Sequence, residues 1–102
     1  MTDELDPIIH ATSRLRIMTT LASVGEGTAL SFPRLSELLG MTAGNLSVHL
    51  TKLEHAGYVS IEKTFEGRKP VTYAAITPEG RIAFSRYLAA LKQLLAPVED
   101  DG

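Results

Sequence analysis

The chain has 102 residues, a formal net charge of −2 and no cysteine, so it has room for one small domain and cannot form a disulfide scaffold, a thiol nucleophile or a thiolate metal site. Its 44% hydrophobic and 22% charged residues are typical of a folded globular domain and exclude a disordered chain. No stretch approaches the roughly 20 apolar residues of a membrane span and the acidic residues 1–4 are unlike a secretory signal, which predicts a cytoplasmic protein with no membrane partner.

The acidic residues are concentrated at the two ends of the chain. Six of the 12 lie in residues 1–6 and 97–102, so we expect an acidic tail at each end and one domain over residues 7–96. Residues 7–98 keep all ten lysines and arginines against six acids, which gives this part a charge of +4. Acidic tails can serve solubility alone, and the positive body permits an anionic partner without demanding one.

The first predicted helix begins at Asp6-Pro7 and runs over residues 7–24. An aspartate can accept hydrogen bonds from the free N–H groups of a first turn, and proline suits the first helical position. Apolar residues follow at steps of three and four, among them Ile8 and Leu15, with a second apolar stripe beside them. A helix that is apolar on more than one side must be covered on more than one side.

Two short helices follow. Ser31 is placed to cap a helix over residues 32–39, and Thr42 to cap a third helix over residues 43–56. A glycine after each helix is suited to end it in the left-handed conformation. Two short helices joined by a tight turn that contains glycine form a helix-turn-helix unit.

The last third of the chain predicts a β-hairpin and a long helix. Residues 58–65 and 71–76 are rich in β-branched and aromatic residues, and a polar turn with two cations separates them. A helix over residues 78–96 has heptad-like apolar spacing that continues to Val98. With a brief strand around residues 28–30, the order is H-(E)-H-H-E-E-H, a mainly α fold with a small β-hairpin.

The third helix has two contrasting faces. Leu46, Leu50 and Leu53 fall on one side, and the opposite side is small, polar and nearly free of acids. Such a side suits close approach to base edges in the DNA major groove, and the helix N-terminus suits a phosphate. Gly44 in the first turn costs helix propensity; it either permits close backbone approach or marks a loosely formed turn.

Residues 30–35 and 41–59 resemble the helix-turn-helix core of small winged-helix transcriptional regulators related to the MarR and ArsR families. Their wing is matched by the run Gly67-Arg68-Lys69-Pro70 with Thr72-Tyr73. The resemblance extends over residues 7–95. It implies a sequence-specific regulator that binds double-stranded DNA as a homodimer. In that arrangement the third helix lies in the major groove, the hairpin wing reaches the minor groove or the backbone, and a long C-terminal helix serves dimerisation.

By that correspondence the DNA-contacting residues are Thr42, Gly44, Asn45, Ser47, Val48, Thr51, Lys52, Arg68 and Lys69. Val48 stands where such regulators often carry a polar or basic residue, so it either contacts a thymine methyl group or reads its base pair poorly. Lys52 is the only basic residue of the helix, which predicts modest electrostatic affinity per subunit.

We expect a two-fold dimer built from the helices over residues 7–24 and 78–96, although these helices could also serve only to cover the core. The predicted contacts are Ile8, Leu15, Phe84, Tyr87, Leu88, Leu91 and Leu95. Such a dimer would place two reading helices about one DNA turn apart, roughly 34 Å, and so predicts an inverted-repeat site.

A second class of function stays open, in which the winged helix is a protein-interaction module. The acidic total charge and Val48 favour that alternative, whereas Arg68, Lys69 and the acid-poor third helix favour DNA. No catalytic constellation occurs at a usable spacing, so we expect neither an enzyme nor a cofactor. A small-molecule effector would have to use the dimer groove.

The three histidines, His10, His49 and His55, are too few for a metal site in a chain without cysteine. We interpret His49 as a half-buried structural residue and assign no metal. The tyrosines and phenylalanines are interpreted as core or interface residues, because they occupy strand and helix positions whose apolar sides must be covered.

Overall fold

The structure, a computed structural model, describes residues 5–97, within which four helices and three strands are seen. In chain order they are α1 (Thr12–Ser23), β1 (Leu30–Ser31), α2 (Phe32–Leu39), α3 (Ala43–His55), β2 (Val59–Glu66), β3 (Lys69–Ile76) and α4 (Pro78–Leu95). The predicted winged-helix order is confirmed. Most of the two predicted acidic tails, and Val98 at the end of the predicted apolar stripe, lie outside the described residues.

The three strands form one antiparallel sheet in the order β1-β3-β2. β1 pairs with β3 only at Tyr73 and Ala74, whereas β2 pairs with β3 along the full length of both strands. The outer half of the β2–β3 hairpin therefore projects beyond the rest of the sheet as a two-stranded wing.

The wing has a tighter turn than the sequence indicates. β3 begins at Lys69 and includes Pro70, which pairs with Phe65, so the predicted turn of five residues shrinks to Gly67 and Arg68. Pro70 is tolerated because β3 has a neighbour on one side only at this point, and a proline can lie where no ladder hydrogen bond is needed.

Apolar side chains from all four helices and the sheet build one core. Leu46, Leu50 and Leu53 are fully buried, which confirms the predicted apolar side of α3. Full burial of a leucine stabilises a fold by about 2 kcal/mol, so these three leucines anchor α3 firmly. The buried set is Ile9, Ile17, Met18, Leu21, Leu35, Leu39, Leu46, Leu50, Leu53, Val59, Ala74, Ile76, Phe84 and Tyr87.

The start of the first helix differs from the prediction. A helix over residues 7–24 is wrong at its N-terminal end, because Ala11 is extended (φ −146°, ψ 133°) and α1 begins at Thr12. Asp6 does cap the chain that follows, since its Oδ1 accepts from the amide of Ile8 at 2.8 Å. It caps a single turn, however, and Ile8 lies in that turn and not on a helix.

The first turn of α4 lies directly on the chain that leaves α3. The Thr77 hydroxyl accepts from the amide of Gly80 at 2.9 Å and donates to the carbonyl oxygen of Gly57 at 2.6 Å. The Thr77 amide donates to the carbonyl oxygen of Tyr58 at 3.0 Å. A Cβ atom on Gly80 would lie 2.0 Å from that same oxygen, so the close approach requires glycine.

Arg14 connects the turn before α1 to the third helix. Its Nε donates to the carbonyl oxygen of Ile8 at 2.5 Å, and its Nη1 lies 3.4 Å from Nδ1 of His49. Because a guanidinium only donates, Nδ1 of His49 is the acceptor of this contact. Burial lowers the pKa of His49, and the charges of Arg14 and Lys52 lower it further. His49 is half-buried, in agreement with its predicted structural role.

Substitution of Gly80 by alanine should destabilise the fold. Overpacking of this kind costs about 2–3 kcal/mol, so Gly80→Ala should lower the Tm by more than about 10 °C in a thermal unfolding experiment followed by circular dichroism. Gly44→Ala is the matched control, since no atom lies within 4 Å of its added Cβ and alanine favours helix; its Tm should be unchanged or higher. A wild-type Tm for Gly80→Ala would contradict the close packing.

Acidification should destabilise the protein through His49. Its pKa in the fold lies below the ordinary 6.5, so as the pH falls below about 6.5 the unfolded chain takes up a proton before the folded chain does, and the free energy of unfolding decreases. His49→Gln keeps an acceptor without the titration. Urea unfolding of both proteins at pH 7.5 and 5.5 should show a smaller loss for the variant; equal losses would exclude His49 as the source.

Candidate nucleic-acid interface

The turn between α2 and α3 is closed by local hydrogen bonds. Gly40 ends α2 in the left-handed conformation with φ 63°, as the sequence predicts. The amide of Met41 then donates to the carbonyl oxygen of Ser36 at 3.1 Å, and the Ser36 hydroxyl donates to the carbonyl oxygen of Met41 at 2.5 Å. These contacts hold the start of α3 beside the end of α2.

The side of α3 that faces away from the core is open and free of acids in its first turn. Every predicted DNA-contacting residue of this region is exposed: Thr42, Gly44, Asn45, Ser47, Val48, Thr51 and Lys52. The first turn of α3 is regular helix from Ala43 onward, so Gly44 does not mark a loosely formed turn. Its missing side chain leaves open space beside the backbone.

Two hydroxyl groups on this side have different hydrogen-bonding capacity left. Thr42 Oγ1 accepts from the amide of Asn45 at 3.2 Å, so its own proton is free to be donated. Thr51 Oγ1 donates to the carbonyl oxygen of Ser47 at 2.9 Å, so it retains only acceptor capacity. Thr42 can therefore donate to a phosphate at the helix N-terminus, and Thr51 can accept from an exocyclic amino group of a base.

The wing ends in a two-residue loop. Gly67 has φ 64°, and Arg68 has no positive φ, which is the pattern of a type II′ hairpin turn with glycine first. Arg68 and Lys69 are exposed. Glu66 pairs with Lys69 in the strand register and accepts a hydrogen bond from the hydroxyl of Tyr73, which raises the pKa of Tyr73.

The cations of the predicted interface are not engaged by acids. Within residues 5–97 the single ion pair joins Arg34 and Glu37 at 3.4 Å. Lys52, Arg68 and Lys69 thus make no ion pair inside the described part of the chain, and each keeps its charge available to an anionic partner.

The predicted dimer residues divide into two groups. Phe84 and Tyr87 belong to the core of the same chain, with 9% and 3% of their surface exposed. Little of the Phe84 and Tyr87 rings is therefore left for a partner. The Tyr87 hydroxyl also lies 2.8 Å from Nδ1 of His10. The residues that keep exposed or partly exposed apolar surface are Ile8, Leu15, Leu88, Leu91 and Leu95.

Sequence reasoning missed the position of Phe65. Its interpretation as a core or interface residue did not anticipate that 70% of its surface is exposed at the wing. Period-two alternation does place Phe65 on the same side of β2 as the buried Val59, but it does not reveal where the helices cease to cover that side. Leu94, with 67% exposed, is a second apolar residue that the predicted interface omitted.

Among residues 5–97 there is no group of three or more histidines, aspartates and glutamates placed to hold a metal ion. His49 and His10 instead contact Arg14 and Tyr87. In the same part of the chain, none of the helices has both the length and the apolarity needed to cross a membrane.

Comparison with known proteins identifies the fold. Residues 13–95 match the family of the winged helix DNA-binding domain. An uncharacterized protein of Methanocaldococcus jannaschii is 34% identical over 92 residues, which cover 90% of this chain and 97% of that protein.

Two solved structures are similar as well. A transcriptional regulator homologue from Pyrococcus horikoshii is 32% identical with a TM-score of 0.78, over 86% of this chain and 84% of that one. A protein from Enterococcus faecalis described as a transcriptional regulator of the MarR family is 25% identical with a TM-score of 0.69, over 85% of this chain and 74% of that one. The chain therefore belongs to the winged helix DNA-binding domain family and is related to the MarR-type transcriptional regulators.

Proposed function

We propose that the protein is a transcriptional regulator that binds double-stranded DNA as a homodimer on an inverted-repeat site. The observation that carries this proposal is the exposed side of α3, whose first turn holds no acid, together with the wing cations Arg68 and Lys69, which make no ion pair within residues 5–97. The family and the similar structures are those of regulators, which supports a binding function and not an enzymatic one.

The major groove is the site that α3 fits best. Asn45 can make a bidentate contact to adenine, Thr51 can accept from adenine N6 or cytosine N4, and Val48, with 56% of its surface exposed, can contact a thymine methyl group. Lys52 and the free amides of the first turn suit phosphates. Close approach at Gly44 would be limited by backbone atoms alone.

The second half of α4 supports the homodimer. Leu88 is 45% exposed and Leu95 is 73% exposed, and with Leu91, which is partly buried against the core, they lie at helical spacing on one side of α4. An exposed apolar stripe of this kind is stable in water when a second copy covers it. Two copies related by a two-fold axis would read two half-sites in opposite directions.

A protein-interaction module is the second candidate, because the exposed Val48 and Phe65 add apolar surface to the same region. The two candidates differ in salt dependence, since phosphate contacts release counterions and protein contacts of this kind do not.

A groove of about 770 Å³ between residues 5–8 and α4 has room for a small-molecule effector.

Removal of the wing cations should weaken DNA binding in a salt-dependent way. We expect Arg68→Ala with Lys69→Ala to lower affinity for any duplex and to reduce the slope of log K against log salt by about one to two per subunit. Fluorescence anisotropy with a mixed-sequence duplex at several salt concentrations measures both quantities.

The charge-matched control for the wing variant is Arg86→Ala with Lys92→Ala, which removes two exposed cations from α4 and should leave the slope nearly unchanged. An unaltered slope in the wing variant would remove the wing from the interface. Salt-insensitive or absent binding by the wild-type protein would favour the protein-interaction module.

Polar substitution of the α4 stripe should separate the dimer. The wild-type protein should have about twice the chain mass of 11.0 kDa by light scattering, and Leu88→Asp with Leu95→Asp should have the monomer mass. Ile82→Asp, on another side of α4 and 56% exposed, is the control and should stay dimeric. A dimeric double variant would contradict this arrangement.

Selection of bound sequences from a random duplex pool should return an inverted repeat for the wild type. Single half-sites would contradict a dimer that binds two half-sites.

A further inference from the structure

Phe65 is the only phenylalanine or tyrosine within residues 5–97 that is exposed. It is the seventh residue of β2 (Val59–Glu66), pairs with Pro70 across the wing, and has 70% of its surface exposed. Alternation along the strand puts it on the same side of the sheet as Val59 and Ile61, which pack against the helical core. The side of the sheet that faces the helices thus continues outward past them and ends at Phe65.

The acids of the wing both lie on the side opposite Phe65. Lys63, two residues before Phe65, lies on the same side and is exposed, and it pairs with the partly exposed Thr72. Glu62 and Glu66 alternate to the opposite side, where Glu66 accepts the hydroxyl of Tyr73. Among the paired residues of the wing, the side that carries Phe65 has Lys63 and no acid, whereas both acids lie on the other side together with Lys69.

The turn of the wing adds a second exposed cation. Arg68 follows Phe65 by three residues and has no ion-pair partner within residues 5–97. A second copy of the wing would bring the same positive charges to this surface, which would disfavour the contact. A polyanion with an apolar groove wall is the complementary occupant, and the minor groove of duplex DNA, lined by deoxyribose between two rows of phosphates, has that chemistry.

We propose that Phe65, supported from the neighbouring strand by Pro70, is an apolar wedge that enters the minor groove of the DNA while Lys63 and Arg68 contact the flanking phosphates. This inference rests on the proposed function and adds a contact by a residue with no hydrogen-bonding side chain. Phe65 does not read base edges; it favours sequences whose steps open or widen at low cost, such as pyrimidine–purine steps.

The test compares Phe65→Ser and Phe65→Leu with the wild-type protein by fluorescence anisotropy on one mixed-sequence duplex at several salt concentrations. Phe65→Ser should lower affinity by about tenfold or more, because one aromatic ring no longer leaves water. The salt slope should stay the same, since no charge is removed. Phe65→Leu, which keeps apolar bulk, should lose less.

Ile82→Ser is the control for the loss of an exposed apolar side chain, because Ile82 is 56% exposed on α4; it should bind as the wild type does. Circular dichroism should show that all variants are folded, as expected for exposed positions. In a second measurement, the minor-groove ligand netropsin on an A·T-rich duplex should weaken wild-type binding more than Phe65→Ser binding.

The outcomes separate the two proposals. If the wild type binds and Phe65→Ser binds equally well, the wedge is overturned while the proposed function stands. If Phe65→Ser flattens the salt slope, Phe65 acts by positioning Arg68 and not by its own contact, which also overturns the wedge. If the wild type shows no salt-dependent binding to duplex DNA, the proposed function fails and the wedge fails with it.

Discussion

Tyr58 is the residue at which the elements of this fold are joined. Its amide donates to the carbonyl oxygen of Leu53 at the end of α3, and its own carbonyl oxygen accepts from the amide of Thr77 at the start of α4. Its hydroxyl donates to Asp6 at 2.5 Å. This hydrogen bond, with burial and the charge of Asp6 as lesser causes, raises the pKa of Tyr58 to about 12. Gly80 lies against the same backbone, so α3, the wing and α4 all meet at Tyr58.

The short connection between α3 and the wing fixes their relative position, which bears on binding. β2 follows α3 after only the residues around Gly57, and the wing is a continuation of β2, so α3 and the wing keep a fixed relation without any flexible linker between them. A surface that is ordered before it binds loses less conformational entropy on binding. For a chain with few cations at its candidate interface, that saving would favour the proposed binding to DNA.

The features that the sequence predicted correctly are those fixed by neighbouring residues. Ser31 and Thr42 cap α2 and α3, because a hydroxyl at the N-cap can accept from the amide three residues later without any contact to distant residues. The left-handed Gly40 and the spacing of the α3 leucines are equally local. The helix-turn-helix and the exposure of its polar side were predictable for that reason.

The features that were missed depend on contacts between distant residues. Asp6-Pro7 resembles a helix start, yet the turn is held away from α1 by the hydrogen bond between Asp6 and Tyr58, 52 positions apart. Tyr87 has the spacing of an interface residue but is taken into the core of its own chain. For Phe65, the alternation gives the side of the strand, and only the three-dimensional extent of the helices decides whether that side is covered.

The small number of cations bears on how such a protein would discriminate among DNA sequences. Binding to arbitrary DNA derives almost entirely from phosphate contacts, and here α3 offers Lys52 and the wing offers Arg68 and Lys69, so affinity for non-cognate DNA should be weak. Specific affinity would then depend on contacts that need the correct bases or a deformable step, through side chains such as Val48 and Thr51. In the proposed dimer, the two subunits would multiply that preference, because the second half-site would be bound at a high effective concentration. If the protein acts as the proposed dimer, a weakly charged surface of this kind would favour discrimination between sites over tight binding to every site.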